Sequence, residues 1–222
     1  MNIVVIGLGN FGASLAKNLT SLGHDVLGVD NDLGRVEYFK DSVANTICLD
    51  AVDPHALRLL PIKEADVFVV CIGDDFGISV KIAALLRKLG VSRIICRESS
   101  SIHLTVLNAI GIRETFNPEY ESAKIIGQKL PLKGIQNLFS ITDSFKIIDM
   151  NLPGNLVGKK YSPANFRKET HLKIVALKRS HRIIYSSASA AENDDKIEIE
   201  FKDSDTLVLA GELKEIKRFL HD

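Results

Sequence analysis

A glycine pattern between two strand-like runs constrains this chain more than any other feature. The apolar run NIVVI occupies residues 2–6, and the motif GLGNFG follows at once at residues 7–12. Leucines at helical spacing come next, and a second apolar run then ends in the carboxylate of Asp30. The order of strand, G-x-G-x-x-G, helix, strand and acid is the fingerprint of the βαβ unit that binds dinucleotides.

Each part of this fingerprint has a physical role. Gly7 permits the tight turn, Gly9 lets the backbone approach a pyrophosphate, and Gly12 allows the helix to pack closely on the strand. The free N–H groups and the positive end of the helix dipole would receive the phosphates. We expect Asp30 to accept hydrogen bonds from ribose hydroxyls and to repel a 2′-phosphate, which disfavours NADP. Because an acid at a strand tip is outside the core, its removal should leave the fold intact.

Polar and charged residues also follow the later strand-like runs, and ligands of open α/β sheets bind at the carboxyl ends of strands. Asp50 follows the third run and is a candidate ligand contact, whereas Asp53 before a proline is typical of a helix N-cap. Gly73 follows the fourth run and should help to wall the nucleotide, and we interpret the nearby Asp75 as a helix cap. Two interpretations stay open for Arg97 after the fifth run, namely contact with phosphate and a surface ion pair. The full set of candidate ligand-binding residues is Gly7, Gly9, Asn10, Phe11, Gly12, Asp30, Asn31, Asp50, Ala51, Gly73, Asp74, Arg97 and Glu119.

The pattern of runs predicts an α/β protein with two domains. Six βα units make a Rossmann-like, doubly wound parallel sheet, which we place with its last helix at residues 1–130. That helix begins at Glu119 and has no further strand of the sheet to cover, so we expect its apolar side to pack on another subunit. Residues 131–138 are expected to be a linker, and residues 139–222 a small α+β domain with a polar loop over 186–195.

Composition and residue inventory argue against several other functions. The formal net charge is 0, which indicates no basic surface for nucleic acid, and no apolar run approaches the 18 residues of a membrane span. Three cysteines fall near predicted strand ends without metal-ligand spacing, and we interpret them as small buried thiols: Cys48, Cys71 and Cys96. No metal ligation is therefore expected. The six histidines are scattered and form no catalytic grouping: His24, His55, His103, His171, His181 and His221. A binding module explains this inventory better than an enzyme does.

The sequence resembles the RCK (regulator of potassium conductance) family, in particular the cytosolic subunits of Ktr/Trk potassium-uptake systems. The resemblance covers nearly the whole chain. The stretches that carry it are residues 3–12, 23–30, 50–53, 65–73 and 117–119 of the first domain and residues 152–158, 175–179 and 203–211 of the second. Since all dinucleotide folds share the first-domain motifs, the second domain, which resembles the TrkA-C-like carboxyl-terminal module, supplies the specificity.

What the resemblance implies is a regulator and not an enzyme. Such subunits are cytoplasmic and lie against the inner face of the cell membrane. They form homodimers through the helix that here begins at Glu119, and the dimers assemble into an eight-membered ring beneath a potassium-translocating membrane subunit. An adenine nucleotide (ATP, ADP, NAD or NADH) in the first domain sets the shape of the ring. In some relatives the second domain binds cyclic di-AMP.

Asn10 is a departure from the family pattern, and it leaves ATP selectivity open. Many ATP-responsive relatives carry arginine at this position of the glycine loop, where it meets the terminal phosphate across the dimer. Asn10 can donate a hydrogen bond but brings no charge. Two further hypotheses are kept beside the potassium-transport regulator: an NAD-dependent oxidoreductase, and a nucleotide sensor that acts on some other protein.

Overall fold

The computed structural model describes residues 1–180, 182–188 and 197–221 of the chain. Two compact units make up the protein, Met1–Tyr120 and Glu121–Asp222. His181 and most of the expected polar loop, residues 189–195, lie outside the described residues. Within the described part, no helix is both long enough and apolar enough to cross a bilayer.

The first unit is a parallel sheet with helices on both faces. Its strands are β1 (Asn2–Ile6), β2 (Asp25–Asp30), β3 (Asn45–Cys48), β4 (Val67–Val70), β5 (Ile94–Arg97) and β6 (Glu114–Phe116). Its helices are α1 (Asn10–Ser21), α2 (Leu33–Phe39), α3 (Pro54–Leu57), α4 (Phe76–Lys88) and α5 (Ser101–Ala109). All strand pairs are parallel, in the order β3-β2-β1-β4-β5-β6. The expected doubly wound sheet is therefore confirmed.

Two apolar cores explain why the central strands read as unbroken apolar runs. On one face Ala13 and Val36 of α1 and α2 pack on alternate strand residues, and on the other Leu57 and Leu86 do so. Strands that are covered on both faces need apolar residues at successive positions. Between β1 and β4 the strand order reverses, and at such a switch point a crevice opens beyond the carboxyl ends of the strands.

Helix α6 (Pro118–Lys129) begins in the first unit and ends in the second. None of its residues is buried, and Ile125 and Ile126 are 54% and 56% exposed. The helix lies where the sequence predicts it. Because burial of apolar residues stabilises most helices in proteins, this exposed apolar surface is compatible with the expected subunit contact, which stays a prediction.

The second unit is an antiparallel sheet packed on two helices. Its strands are β7 (Ile135–Ser140), β8 (Phe145–Asn151), β9 (Lys160–Tyr161), β10 (Lys173–Arg179), β11 (Arg182–Ser186), β12 (Ile199–Glu200) and β13 (Asp205–Glu212), and its helices are α7 (Pro163–Thr170) and α8 (Leu213–His221). Five strands form a sheet in the order β11-β10-β13-β8-β7, and β12 pairs with β9. Phe166 of α7 and Ile216 of α8 are fully buried against this sheet. The expected α+β domain is confirmed as a class.

Part of the segment 131–138, which the sequence predicts as a linker, packs in the second unit. Leu132 and Ile135 are buried in the core of the second unit, and Ile135 is paired with Met150 at the start of β7. The polar sequence after Ile135 hid this edge strand, because an edge strand exposes one backbone side and needs few apolar residues. The division into independently folding domains at residue 130 stays a prediction.

Candidate functional site

A cavity of about 680 Å³ lies beyond the carboxyl ends of the first-unit strands. This volume falls in the range of about 300–1,000 Å³ that is typical of small-molecule sites. Twelve of the candidate residues from the sequence line it, namely Gly7, Gly9, Asn10, Phe11, Asp30, Asn31, Asp50, Ala51, Gly73, Asp74, Arg97 and Glu119. Gly12 is the one candidate that is not part of the lining.

The glycine loop joins β1 to α1, and its first and last glycines are the two that the surrounding structure constrains. Gly7 has a φ of +96°, and its N–H donates to the carbonyl of Val29 at 2.8 Å. A Cβ on Gly12 would overlap the carbonyl oxygen of Gly7 and would lie 3.0 Å from Cβ of Cys71. Gly12 is therefore a packing residue, in agreement with its expected role.

The amino end of α1 opens on the cavity without a side-chain cap. Gly9 is the N-cap and provides no side-chain hydrogen bond, and no acidic residue occupies the first turn. Asn10 and Phe11 of that turn line the cavity. The first N–H groups of a helix have no intrahelical partner, so this end of α1 can donate hydrogen bonds to an anion such as a phosphate.

Asp30 is part of the structure of the loop as well as of the cavity wall. Its Oδ2 accepts a hydrogen bond from the N–H of Leu8 at 2.6 Å, and its Oδ1 accepts one from the N–H of Asp32 at 3.0 Å. Only 6% of the residue is exposed. The expectation that this acid lies outside the core is wrong, because pairing of β1 with β2 places the carboxylate under the glycine loop. That the fold survives its removal stays a prediction.

Arg35 lines the cavity, and the sequence analysis missed it. It lies on the first turn of α2, which Asp32 caps through the N–H of Gly34 at 2.7 Å. One of its guanidinium nitrogens is 3.6 Å from Oδ2 of Asp30. A cation five residues after the strand-tip acid, at the start of the next helix, is the signal that was available.

Arg97 and Glu119 form an ion pair inside the cavity lining. The side chain of Arg97 is 17% exposed and that of Glu119 is 64% exposed, so Arg97 forms an ion pair with one exposed partner. Contact of Arg97 with phosphate stays a prediction. A Cβ on Gly73 would overlap the guanidinium of Arg97, and the ring of Phe11 lies 6.0 Å from it. Gly73 therefore has a steric role, which is to leave space for the arginine head group.

Aspartates at the other strand ends mostly serve the backbone. Asp53 accepts from the N–H of His55 at 2.8 Å and Asp75 from the N–H of Ile78 at 2.9 Å, so both helix caps are confirmed. Asp50 accepts from the N–H of Val52 at 3.0 Å while it also lines the cavity.

The three thiols do not behave alike. Cys71 and Cys96 are buried, and desolvation raises the pKa of each thiol to about 12. Cys48 is exposed, which contradicts the expectation of a buried thiol. It is the last residue of β3, the edge strand of the sheet, and an edge strand has less cover.

Within the described residues, no histidine lines the cavity and no group of three or more metal-ligating side chains occurs. His103 is buried, and desolvation lowers its pKa. Its Nδ1 lies 3.3 Å from the N–H and from the hydroxyl of Ser99. This histidine is a packing residue of α5.

A doubly wound parallel sheet, a glycine turn at the helix end and an acid beside it define the Rossmann-like class of nucleotide-binding folds. The chain belongs to the TrkA-N domain family, whose profile matches residues 3–118. The expected RCK relationship is thereby confirmed.

Relatives and solved structures extend the similarity to the whole chain. The Ktr system potassium uptake protein A of Bacillus subtilis (strain 168) is 29% identical over 97% of this chain and 93% of its own length. The Ktr system potassium uptake protein C of the same organism is 26% identical over 97% and 94%. The crystal structure of the GsuK RCK domain matches 99% of this chain with a TM-score of 0.60 at 18% identity. This chain spans 47% of that solved chain.

Proposed function

We propose that this protein is the nucleotide-binding regulatory subunit of a membrane potassium-uptake system and that it is not an enzyme. The observation that carries the proposal is the make-up of the 680 Å³ cavity. Its lining combines a glycine loop, the uncapped end of α1 and two arginines, but within the described chain it has no histidine to act as a general acid or base. Such a cavity is suited to holding a phosphate-bearing ligand.

The cavity residues fit an adenine nucleotide. The N–H groups at the start of α1 would receive the diphosphate, and the carboxylate of Asp30 would accept from the ribose hydroxyls. Val52 and Ile78 add apolar wall for a base. Since these features are common to ATP, ADP and NAD, we propose an adenine nucleotide without choosing one of them. One solved structure that shares the fold, at a TM-score of 0.59, is described as the GsuK channel bound to NAD.

The proposed partners rest on the exposed apolar residues of α6 and on the names of the relatives. The full-length relatives are potassium uptake proteins, so we propose a membrane potassium-translocating subunit as the partner and the inner face of the membrane as the location. Exposed apolar residues of α6 would join two copies of this chain, and dimers would build the ring that the family resemblance implies.

Glu119 lies on the first turn of α6 and is paired with Arg97 of the cavity. A phosphate that competes with Glu119 for Arg97 would therefore break this ion pair and release the first turn of α6, the helix of the proposed dimer. This contact is the route by which nucleotide binding would change the assembly.

The test has two arms. Isothermal titration of the full chain with ATP, ADP and NADH should show saturable binding, and NADH should not be consumed with hydroxy- or oxo-acids. In liposomes that hold the potassium-translocating subunit of the same genome, added protein should make potassium flux depend on nucleotide. Oxidation of NADH with turnover, or flux that is indifferent to the protein, would contradict the proposal.

A further inference from the structure

Lys146 is buried in the second unit, with 3% of its surface exposed. It lies on β8, where alternation places it on the same face as the core residues Ile148 and Met150. Lysine is among the residues that proteins almost never bury fully without a charged partner, because removing an ammonium from water is costly. This lysine therefore calls for a physical explanation.

The protein supplies neutral acceptors to this ammonium. Its Nζ donates to the hydroxyl of Ser140 at 2.9 Å and to the carbonyl of Thr142 at 2.8 Å. Among the ion pairs between described residues, none includes Lys146. An ammonium has three N–H donors, and two neutral oxygens leave its charge without a counter-charge.

A cavity of about 190 Å³ adjoins Lys146 within the second unit. Its lining consists of Gln128, Pro131, Leu132, Leu138, Asp143, Lys146, Leu213 and Lys217. Leu213 is the first residue of α8, and Lys217 is one turn further along the same helix. The first turn of α8 carries the acid Glu215, which offsets the positive end of the helix dipole. The lining itself has two lysines and one acid, Asp143, so its formal charge is positive.

We propose that this cavity is a second ligand site, and that it binds a small organic carboxylate. The carboxylate would accept hydrogen bonds from the ammonium groups of Lys146 and Lys217. Its short apolar body would lie against the leucines of the lining. The cavity is too small for a nucleotide, because its volume is about 190 Å³, whereas the first-unit cavity proposed to hold a nucleotide has about 680 Å³. Since apolar side chains form half of the lining, an organic anion fits it better than inorganic phosphate.

Equilibrium dialysis of the full chain with radiolabelled butanoate tests the site, at constant ionic strength set with chloride. Lys146→Met keeps most of the length of the side chain and removes the charge, and Lys217→Gln removes the second cation. Lys214→Gln is the matched control, because Lys214 is on the same helix and is absent from the cavity lining. ADP titration of each variant reports on the first unit separately, so the outcome does not depend on the proposed nucleotide function.

Butanoate should bind saturably to the wild type at millimolar concentration. Loss of a hydrogen bond between charged groups should weaken binding by about tenfold or more in Lys146→Met and by a smaller factor in Lys217→Gln, with no change in Lys214→Gln. If Lys146→Met fails to fold, the difference in butanoate affinity between Lys217→Gln and Lys214→Gln decides whether the assignment holds. Absence of saturable binding, equal binding by all variants, or tighter binding of inorganic phosphate than of butanoate would each overturn the assignment.

Discussion

The backbone N–H of Leu8 donates a hydrogen bond of 2.6 Å to Oδ2 of Asp30, so the acid at the end of β2 holds the loop that follows β1. The same carboxylate receives the N–H of Asp32 through its other oxygen. A single side chain thus positions the glycine loop and the start of α2, the two segments that border the cavity on this side.

Asp30→Ala should lower both stability and nucleotide affinity. The buried N–H of Leu8 and the part-buried N–H of Asp32 would lose their acceptor, and a buried unsatisfied group costs about 1–3 kcal/mol in the free energy of unfolding. Loss of hydrogen bonds to ribose should weaken adenine-nucleotide binding by a similar amount. Urea unfolding and calorimetry measure the two effects. Asp25→Ala at the exposed start of β2 is the control, and an Asp30→Ala protein of unchanged stability would contradict the structural role.

Arg97 and Glu119 should affect nucleotide affinity in opposite directions. Arg97→Gln removes the cation available to phosphate and should weaken ADP binding by about 1.5–3 kcal/mol, or roughly tenfold or more. Glu119→Gln releases Arg97 from its partner and removes a negative charge from the lining, so it should tighten binding. Glu121→Gln, also near the start of α6, controls for the loss of an acid. Weaker ADP binding by Glu119→Gln would show that this carboxylate contacts the ligand directly.

Asn10 should leave ATP and ADP nearly equal in affinity. A neutral hydrogen bond contributes about 1 kcal/mol, so we expect the two affinities to lie within about tenfold of each other. Asn10→Arg should shift the ratio toward ATP, whereas Asn18→Arg near the other end of α1 should not. Calorimetric titration of both nucleotides gives the ratio. A wild type that already prefers ATP by about a hundredfold would assign that selectivity to Arg97 or Arg35 instead.

Ile125→Asp should break the proposed dimer. Ile125 is 54% exposed on a helix that buries none of its own residues, so the substitution should leave the protomer folded. In a subunit interface, however, the new carboxylate would be desolvated without a partner, which is strongly unfavourable. Multi-angle light scattering at micromolar concentration reports the mass. Lys124→Asp is the control, because it adds the same side chain at a position that already carries charge. A monomeric wild type would contradict the proposed interface.

The thiols should react in two classes. Nucleophilic attack requires the thiolate, and burial raises the pKa of Cys71 and of Cys96 to about 12. At pH 8 a disulfide reagent should therefore modify the exposed Cys48 quickly and the other two only after unfolding. Cys48→Ser should abolish the fast phase. A second fast thiol in the folded wild type would show that the cavity beside Cys71 opens to the reagent.

The sequence alone determined the features that depend on residues close together along the chain. The glycine motif, the flanking apolar runs and the acid at Asp30 fixed the βαβ unit, because turn geometry and strand burial depend on neighbouring residues. The caps Asp53 and Asp75 were predictable for the same reason, since a cap bonds to N–H groups two or three residues away.

Tertiary structure decided the contacts between residues that are distant along the chain. The pairing of Arg97 with Glu119, the burial of Asp30 beneath Leu8 and the place of Arg35 in the cavity each join separate elements. Lys146 is the extreme case, because its sequence neighbours give no sign that its charge is buried. Local patterns report which residues favour a strand or a helix, whereas packing of the sheet and helices decides which charges are desolvated and which partners they meet.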